Sequence, residues 1–269
     1  MRGGNTQWTH ESIAALGVSD PFSFVIEKAR DLTLTAMAEG WAGPPFDPVD
    51  LAERLGIQVE PRDDVVDARM VSLEGNKLKI EFNPNRPRGR VRFSVAHEIA
   101  HSFFPDCAKQ IRHRANRSQM RGDDWQLEML CNHAAAELVM PIGSFHDLRT
   151  DPVSIDRLME QRKAYDVSTE AILLRFVKLT RIPCALVATS RVEEGAFQGR
   201  YRVDYAVASG AWVRPIPVGV HLTEESLAAE CTAIGYTSKG RETWRDVGVF
   251  HTQCVGVPSY PGSAYPRVL

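Results

Sequence analysis

His97, Glu98 and His101 stand in the spacing His-Glu-x-x-His, within the run Arg92–Phe104, which reads as one helix. At about 100° per residue the two histidines lie one turn apart on the same side. Phe93 and Phe104 fall on that side too, so both imidazoles are expected to face an apolar interior. Glu98 sits about 100° round from His97 and about 60° from His101, beside the pair. This is the arrangement a helix needs to give two nitrogen ligands to one zinc ion and keep a carboxylate next to a water held there. Zinc brings such a water's pKa down to roughly 7, and Glu98 would take its proton as it attacks a carbonyl. Ala96 and Ala100 on the same helix argue against a solvated element on which the motif is an accident.

A catalytic zinc takes three protein ligands and keeps one position for water. A His-x-x-Gly-x-x-His continuation is absent, because Phe104 and Cys107 occupy the places of its glycine and last histidine. Asp106, Cys107, His113, Glu128 and His133 are therefore the candidates for the third ligand. Asp106 and Cys107 follow Pro105 too closely to fold back easily, and His113 lies in a basic loop. Glu128 is the best placed, at the rim of a second long helix that starts at Asp123 or Asp124 and runs to Val139. That helix carries the stripe Leu127, Leu130, Cys131, Ala134, Ala135, Leu138 and Val139. Asn132, one turn beyond Glu128, is expected to take a hydrogen bond from a ligand imidazole and fix its tautomer. His133 and His113 are the guesses for an extra donor to a developing oxyanion.

The elements that must position these residues are legible on either side of them. Asp20-Pro21 opens a helix with Phe22, Val25, Ile26, Ala29, Leu32 and Ala36 on one face, broken at Gly40–Pro45. Asp47-Pro48 repeats the start signal for a short helix over Val49–Leu55, stopped by Gly56. Ile57–Val59 reads as a strand. Met70–Leu73 and Lys77–Phe82 read as a hairpin round Glu74-Gly75-Asn76, with Leu78, Ile80 and Phe82 on the buried face. The last of these strands, taken as an edge just ahead of the histidine helix, would be a rail for an extended peptide. Residues 1–19 are polar and without periodicity, a mobile lead-in.

The 269 residues, 43% hydrophobic and 25% charged, suffice for one large or two modest domains. No run approaches the ~18 apolar residues of a membrane span, and the first residues lack a secretory leader. Five widely spaced cysteines without C-x-x-C fit a reducing cytoplasm better than a disulfide framework. The net charge is −2, yet Pro84–Gly122 holds nine Arg or Lys against Glu98 and Asp106. Such basic loops either steer an acidic partner or nucleic acid toward the site, or are solvated surface.

Two stretches together resemble a known family. Phe93-Ser-Val-Ala-His-Glu-Ile-Ala-His101, followed by Glu128-Met-Leu-Cys-Asn132-His-Ala-Ala-Ala-Glu-Leu-Val-Met-Pro141, is similar to the paired signature of the ImmA/IrrE metallopeptidases. Pro48–Gly56 resembles that family's entry helix, and the likeness spans about residues 20–181. The resemblance implies a zincin-like domain in which His97, His101 and Glu128 ligate the metal and Glu98 is the base. It also implies a protein substrate, an XRE-type helix-turn-helix repressor whose cleavage releases stress-response or mobile-element genes. Cys131 departs mildly from the small residue expected there.

Beyond this, Ser154 and Ser168 look like caps for helices over Ile155–Arg162 and Thr169–Leu179, a helix-turn-helix-like pair with too few basic groups for confident DNA contact. From Ile182 the chain reads as a small α+β domain. It has an apolar Cys184–Ala188, strands over Gly199–Ala208 and Gly248–Val257, a helix over Thr223–Ala233, and a last strand near Arg267. By resemblance it is GAF-like and sensor-type. His221, His251, Cys231 and Cys254 within it are not at ligand spacing and are expected to be structural. The expectation is thus an α+β metalloendopeptidase dependent on zinc, or on manganese in cells. Its parts are a lead-in at 1–19, a metallopeptidase domain at 20–150, a helical segment at 151–181 and a GAF-like domain at 182–269. The rival is a non-catalytic, metal-dependent regulator that binds repressor or DNA, and a fourth protein ligand closing the site would favour it.

Overall fold

A computed structural model describes residues 7–109, 122–145, 154–244, 248–260 and 262–269, and the fold mixes helix and sheet. The chain divides into two compact units, Met1–Phe145 with Ala164–Ser168, and His146–Lys163 with Thr169–Leu269.

The first unit begins with a short helix, α1, over Glu11–Ala14. His10 caps it, its Nδ1 accepting from the Ser12 amide at 3.2 Å, and Ile13 is buried. Lead-in residues Thr9 and His10 are pinned by their amides, which donate to Gln126 Oε1 at 2.9 and 3.2 Å. Helix α2, Pro21–Ala38, starts where Asp20 accepts from the Ser23 amide, and α3, Pro48–Arg54, where Asp47 accepts from Val49. Proline at the first helical position loses no bond there, since that amide has no partner within the helix.

Strands β1 (Gln58–Pro61), β2 (Ala68–Ser72) and β3 (Leu78–Phe82) form one sheet in the order β1-β3-β2. β1 runs parallel to β3, and β2 antiparallel. The strand just ahead of the histidine helix is therefore the centre of the sheet, paired on both sides, and cannot serve as a rail. β2 is the edge strand whose start approaches the histidines. The alternation along β3 also departs from expectation: Ile80 is fully buried, and Glu81 is only 5% exposed.

Glu81 tolerates that burial because Lys79 Nζ and Arg69 Nη2 each lie 2.7 Å from its carboxylate. Burial by itself raises its pKa, but these two cations outweigh it and hold the carboxyl below its ordinary value. A carboxyl lowered in the folded state stabilises the fold at neutral pH, and that contribution disappears as pH falls through the carboxylate range. The unfolding free energy of the wild type is expected to fall more steeply between pH 7 and pH 3 than that of Glu81→Gln, measured by urea titration. Equal slopes would assign Glu81 no part in acid sensitivity.

Helix α4, Arg88–His101, follows Pro87, and α5, Asp124–Val139, packs along it. Ala96 and Ala100 on α4 and Ala134 and Ala135 on α5 are fully buried. Small side chains at a helix contact let the axes approach closely. Val95, Ile99, Leu130 and Leu138 fill the remaining space. This approach carries the rim of α5 to the face of α4 that bears the histidines.

The second unit contains α6 (Ile155–Tyr165, whose last residues belong to the first unit), α7 (Thr169–Leu179) and a five-stranded sheet. Its strands are β4 (Ala185–Arg191), β5 (Tyr201–Ala208), β6 (Thr237–Trp244), β7 (Gly248–Val257) and β8 (Arg267–Val268). The order is β5-β4-β8-β7-β6, antiparallel throughout, so the two-residue β8 joins two hairpins. Glu170 on α7 fastens the helix to this sheet: it accepts a short hydrogen bond from the Tyr205 hydroxyl and one from Arg267 at 2.9 Å.

The helix expected over Thr223–Ala233 is reduced to a single 3-10 turn, Leu227–Glu230. Ser226 is extended and caps the turn from within, while its hydroxyl donates to Glu242 at 2.7 Å. Cys231 then leaves helical geometry to enter the core with Tyr201, Val203 and Cys254. Strand β6 had no counterpart in the sequence reading. Its Lys239, Arg241 and Glu242 hide a segment whose strand character comes from pairing with β7.

Candidate metal centre

On α4 the His97 and His101 ring centres are 4.9 Å apart, and the two Nε2 atoms face each other at 3.1 Å. From α5 the Glu128 carboxylate completes the group, Oε2 lying 3.0 Å from His97 Nε2 and Oε1 3.6 Å from His101 Nε2. All three residues offer a ligand atom within 4.8 Å of the others. Ligands held about 2.0–2.2 Å from one zinc ion in a tetrahedron are about 3.3–3.6 Å from one another. The observed triangle is close to that, so the residues present fit a divalent ion of zinc's size and preference for nitrogen and carboxylate donors.

The outward nitrogens are also engaged. His97 Nδ1 is 3.0 Å from Asn132 Oδ1, and His101 Nδ1 is 3.4 Å from Cys131 Sγ. Burial disfavours the charged form of His97, yet the hydrogen bond to Glu128 and the charge of Glu98 outweigh it and raise the pKa. The surrounding carboxylates thus favour positive charge at this point. Glu98 is buried, and it lines a cleft of about 180 Å³ with Asp67, Ala68, Phe93, Ser94, His97 and Asn132. The cleft brings the edge of β2, the carboxylate of Glu98 and a ring of the histidine pair onto one small surface.

The remaining candidates lie elsewhere. Asp106 accepts from the Ser12 hydroxyl at 2.9 Å, and Cys107 Sγ is 3.4 Å from Met70 Sδ in the core. His133 meets Phe22 of α2 edge-on at 4.8 Å, and His113 lies outside the described residues. In the second unit His221 stacks on Phe197, while Cys231 and Cys254 are core residues. Among the described residues, His97, His101 and Glu128 are the one group of His, Cys, Asp or Glu with ligand geometry. The sequence reading gave Cys131 no role at the centre: there it is a member of an apolar stripe and a mild departure from the family's small residue.

The arginines just before α4 and in its first turns are engaged inside the first unit. Arg86 and Arg90 pair with Asp67, Arg88 pairs with Asp166, and Arg92 is buried with its guanidinium on the Phe46 carbonyl. Arg112, Arg114, Arg117 and Arg121 lie outside the described residues. Arg175 of α7 is buried too.

A histidine pair one turn apart and a carboxylate from the neighbouring helix, with a small sheet beside them, form a group that could hold a metal ion. Residues 52–177 match the family model described as IrrE N-terminal-like domain, Peptidase_M78, and this stretch of the chain belongs to the ImmA/IrrE family. Membership points to a metal-dependent protease or regulator. A Mycobacterium tuberculosis transcriptional regulator of known structure is similar in fold, with a TM-score of 0.55 at 13% identity, over 92% of this chain and 78% of that one. No curated protein matches the chain. Among the described residues no helix is long and apolar enough to cross a membrane.

Proposed function

We propose that this chain is a metal-dependent endopeptidase that cleaves a partner protein. The observation that carries the reading is the convergence of His97, His101 and Glu128 at one point, with the Glu98 carboxylate in the same cleft. Zinc is the ion proposed, with manganese as a substitute in cells. When bound, such an ion polarises a carbonyl oxygen and brings the pKa of a water to about 7.

The chain's own residues do the rest. Glu98 accepts the proton of the attacking water and delivers it to the leaving amine. Asn132 and Cys131 hold the two rings so that both Nε2 atoms face the centre. Phe93 and Ala68 give the cleft apolar walls, and β2, at the edge of its sheet, would run alongside an extended segment bound there. Among the described residues three side chains converge on the centre, the number of protein ligands that a catalytic zinc uses.

By family likeness the substrate is a helix-turn-helix repressor of the XRE type, the domain is zincin-like, and the second unit is a GAF-like sensor. The test is incubation of the zinc-loaded protein with the helix-turn-helix repressor encoded beside its gene, followed by intact-mass spectrometry. A chelator-sensitive cleavage restored by zinc is expected. An intact repressor whose operator occupancy nonetheless changes would establish the non-catalytic regulator instead.

A further inference from the structure

We infer that Cys131 is a positioning residue, whose sulfur accepts the Nδ1 proton of His101 and so keeps that ring's Nε2 free to bind metal. The inference rests on the proposed metal centre and assigns a role to a residue that the centre's ligand set does not include. An imidazole that ligates through one nitrogen carries its proton on the other, and that N–H requires an acceptor. Both Nε2 atoms here face each other and Glu128, so with an ion held at that point both Nδ1 atoms would carry the protons.

His97 Nδ1 has Asn132 Oδ1 at 3.0 Å, an acceptor of ordinary strength. His101 Nδ1 has Cys131 Sγ at 3.4 Å, within reach of a sulfur acceptor, and Cys131 has no solvent exposure. With His101 itself only 7% exposed, water is a poor competitor for that proton. The opposite tautomer, with the thiol donating to Nδ1, would place a proton on Nε2 where the ion must sit.

The periodicity of α5 explains why one short segment does all this. Glu128, Cys131 and Asn132 are spaced i, i+3 and i+4, which puts them on a single helical face. One face of α5 therefore supplies a ligand and an acceptor for each of the two histidines. A merely space-filling cysteine would need none of this, since any residue of like volume would serve.

That contrast sets the experiment. Zinc affinity is measured on the full chain by competition with a chromophoric chelator, and thermal stability on the metal-free protein, for wild type, Cys131→Val and Cys131→Ser. Valine fills the space without an acceptor, whereas serine keeps an acceptor and loses volume. If Cys131 orients His101, Cys131→Val binds zinc about 10–100-fold more weakly while keeping its melting temperature. Cys131→Ser then recovers most of the affinity although its melting temperature drops. Affinities that instead follow melting temperature, with Cys131→Val equal to wild type, would overturn the inference and leave the metal centre standing. A folded wild type that binds no zinc would overturn both.

Discussion

Glu98→Gln is expected to reduce peptide-bond hydrolysis by about 10²–10⁴-fold, the usual worth of a positioned general base. Zinc affinity and melting temperature should stay close to wild type. The substitution keeps the side chain's length and shape while removing its proton affinity. Glu98 is buried in the cleft beside His97 but is not among the three residues that converge on the centre. A loss confined to turnover would therefore separate the base from the ligands. Rates are to be measured on the repressor substrate under single-turnover conditions, so that product release does not hide the chemistry. A variant that cleaves as fast as wild type would remove Glu98 from the mechanism.

His101→Ala should have an equally large effect, of a different kind. Apparent zinc-binding free energies of about 10–16 kcal/mol at structural sites with four protein ligands correspond to roughly 2.5–4 kcal/mol per ligand, or about 10²–10³-fold in affinity. The loss should be greater than that of Cys131→Val, which disturbs only the ring's orientation. Because Val95, Ile99 and Leu130 form the core independently of the ring, the metal-free variant should retain its far-ultraviolet circular dichroism. Unchanged zinc affinity in a folded His101→Ala protein would place the ion elsewhere.

Much of the first unit could be read from one dimension. Asp20-Pro21 and Asp47-Pro48 announce α2 and α3 because an aspartate cap followed by proline satisfies a helix start chemically, whatever lies around it. The His-Glu-x-x-His spacing and the stripe on α5 are periodic, so they place Glu128 on the correct rim before any contact is known. What escaped was set by packing. The central place of β3 depends on β1 crossing to pair in parallel, which no local pattern encodes. Glu81 reads as a solvent-facing residue until Lys79 and Arg69 close over it.

Cys131 is the instructive case. On the sequence it is an apolar stripe member, and its meeting with His101 is created by the close approach of α4 and α5 through their alanines. In the second unit, the helical composition of Thr223–Ala233 was outweighed by two tertiary demands, the Ser226 bond to Glu242 and the burial of Cys231. Residues 7–14 gave no periodic signal because Gln126, more than a hundred positions away, supplies the bonds that fix them.

The most direct measurement is a crystal structure of the zinc-loaded protein with diffraction data on either side of the zinc absorption edge. One anomalous peak per chain is expected, bounded by His97 Nε2, His101 Nε2 and a Glu128 carboxylate oxygen at about 2.0–2.2 Å. An ion bound without Glu128, or no peak between α4 and α5 in a protein that cleaves its substrate, would contradict the account.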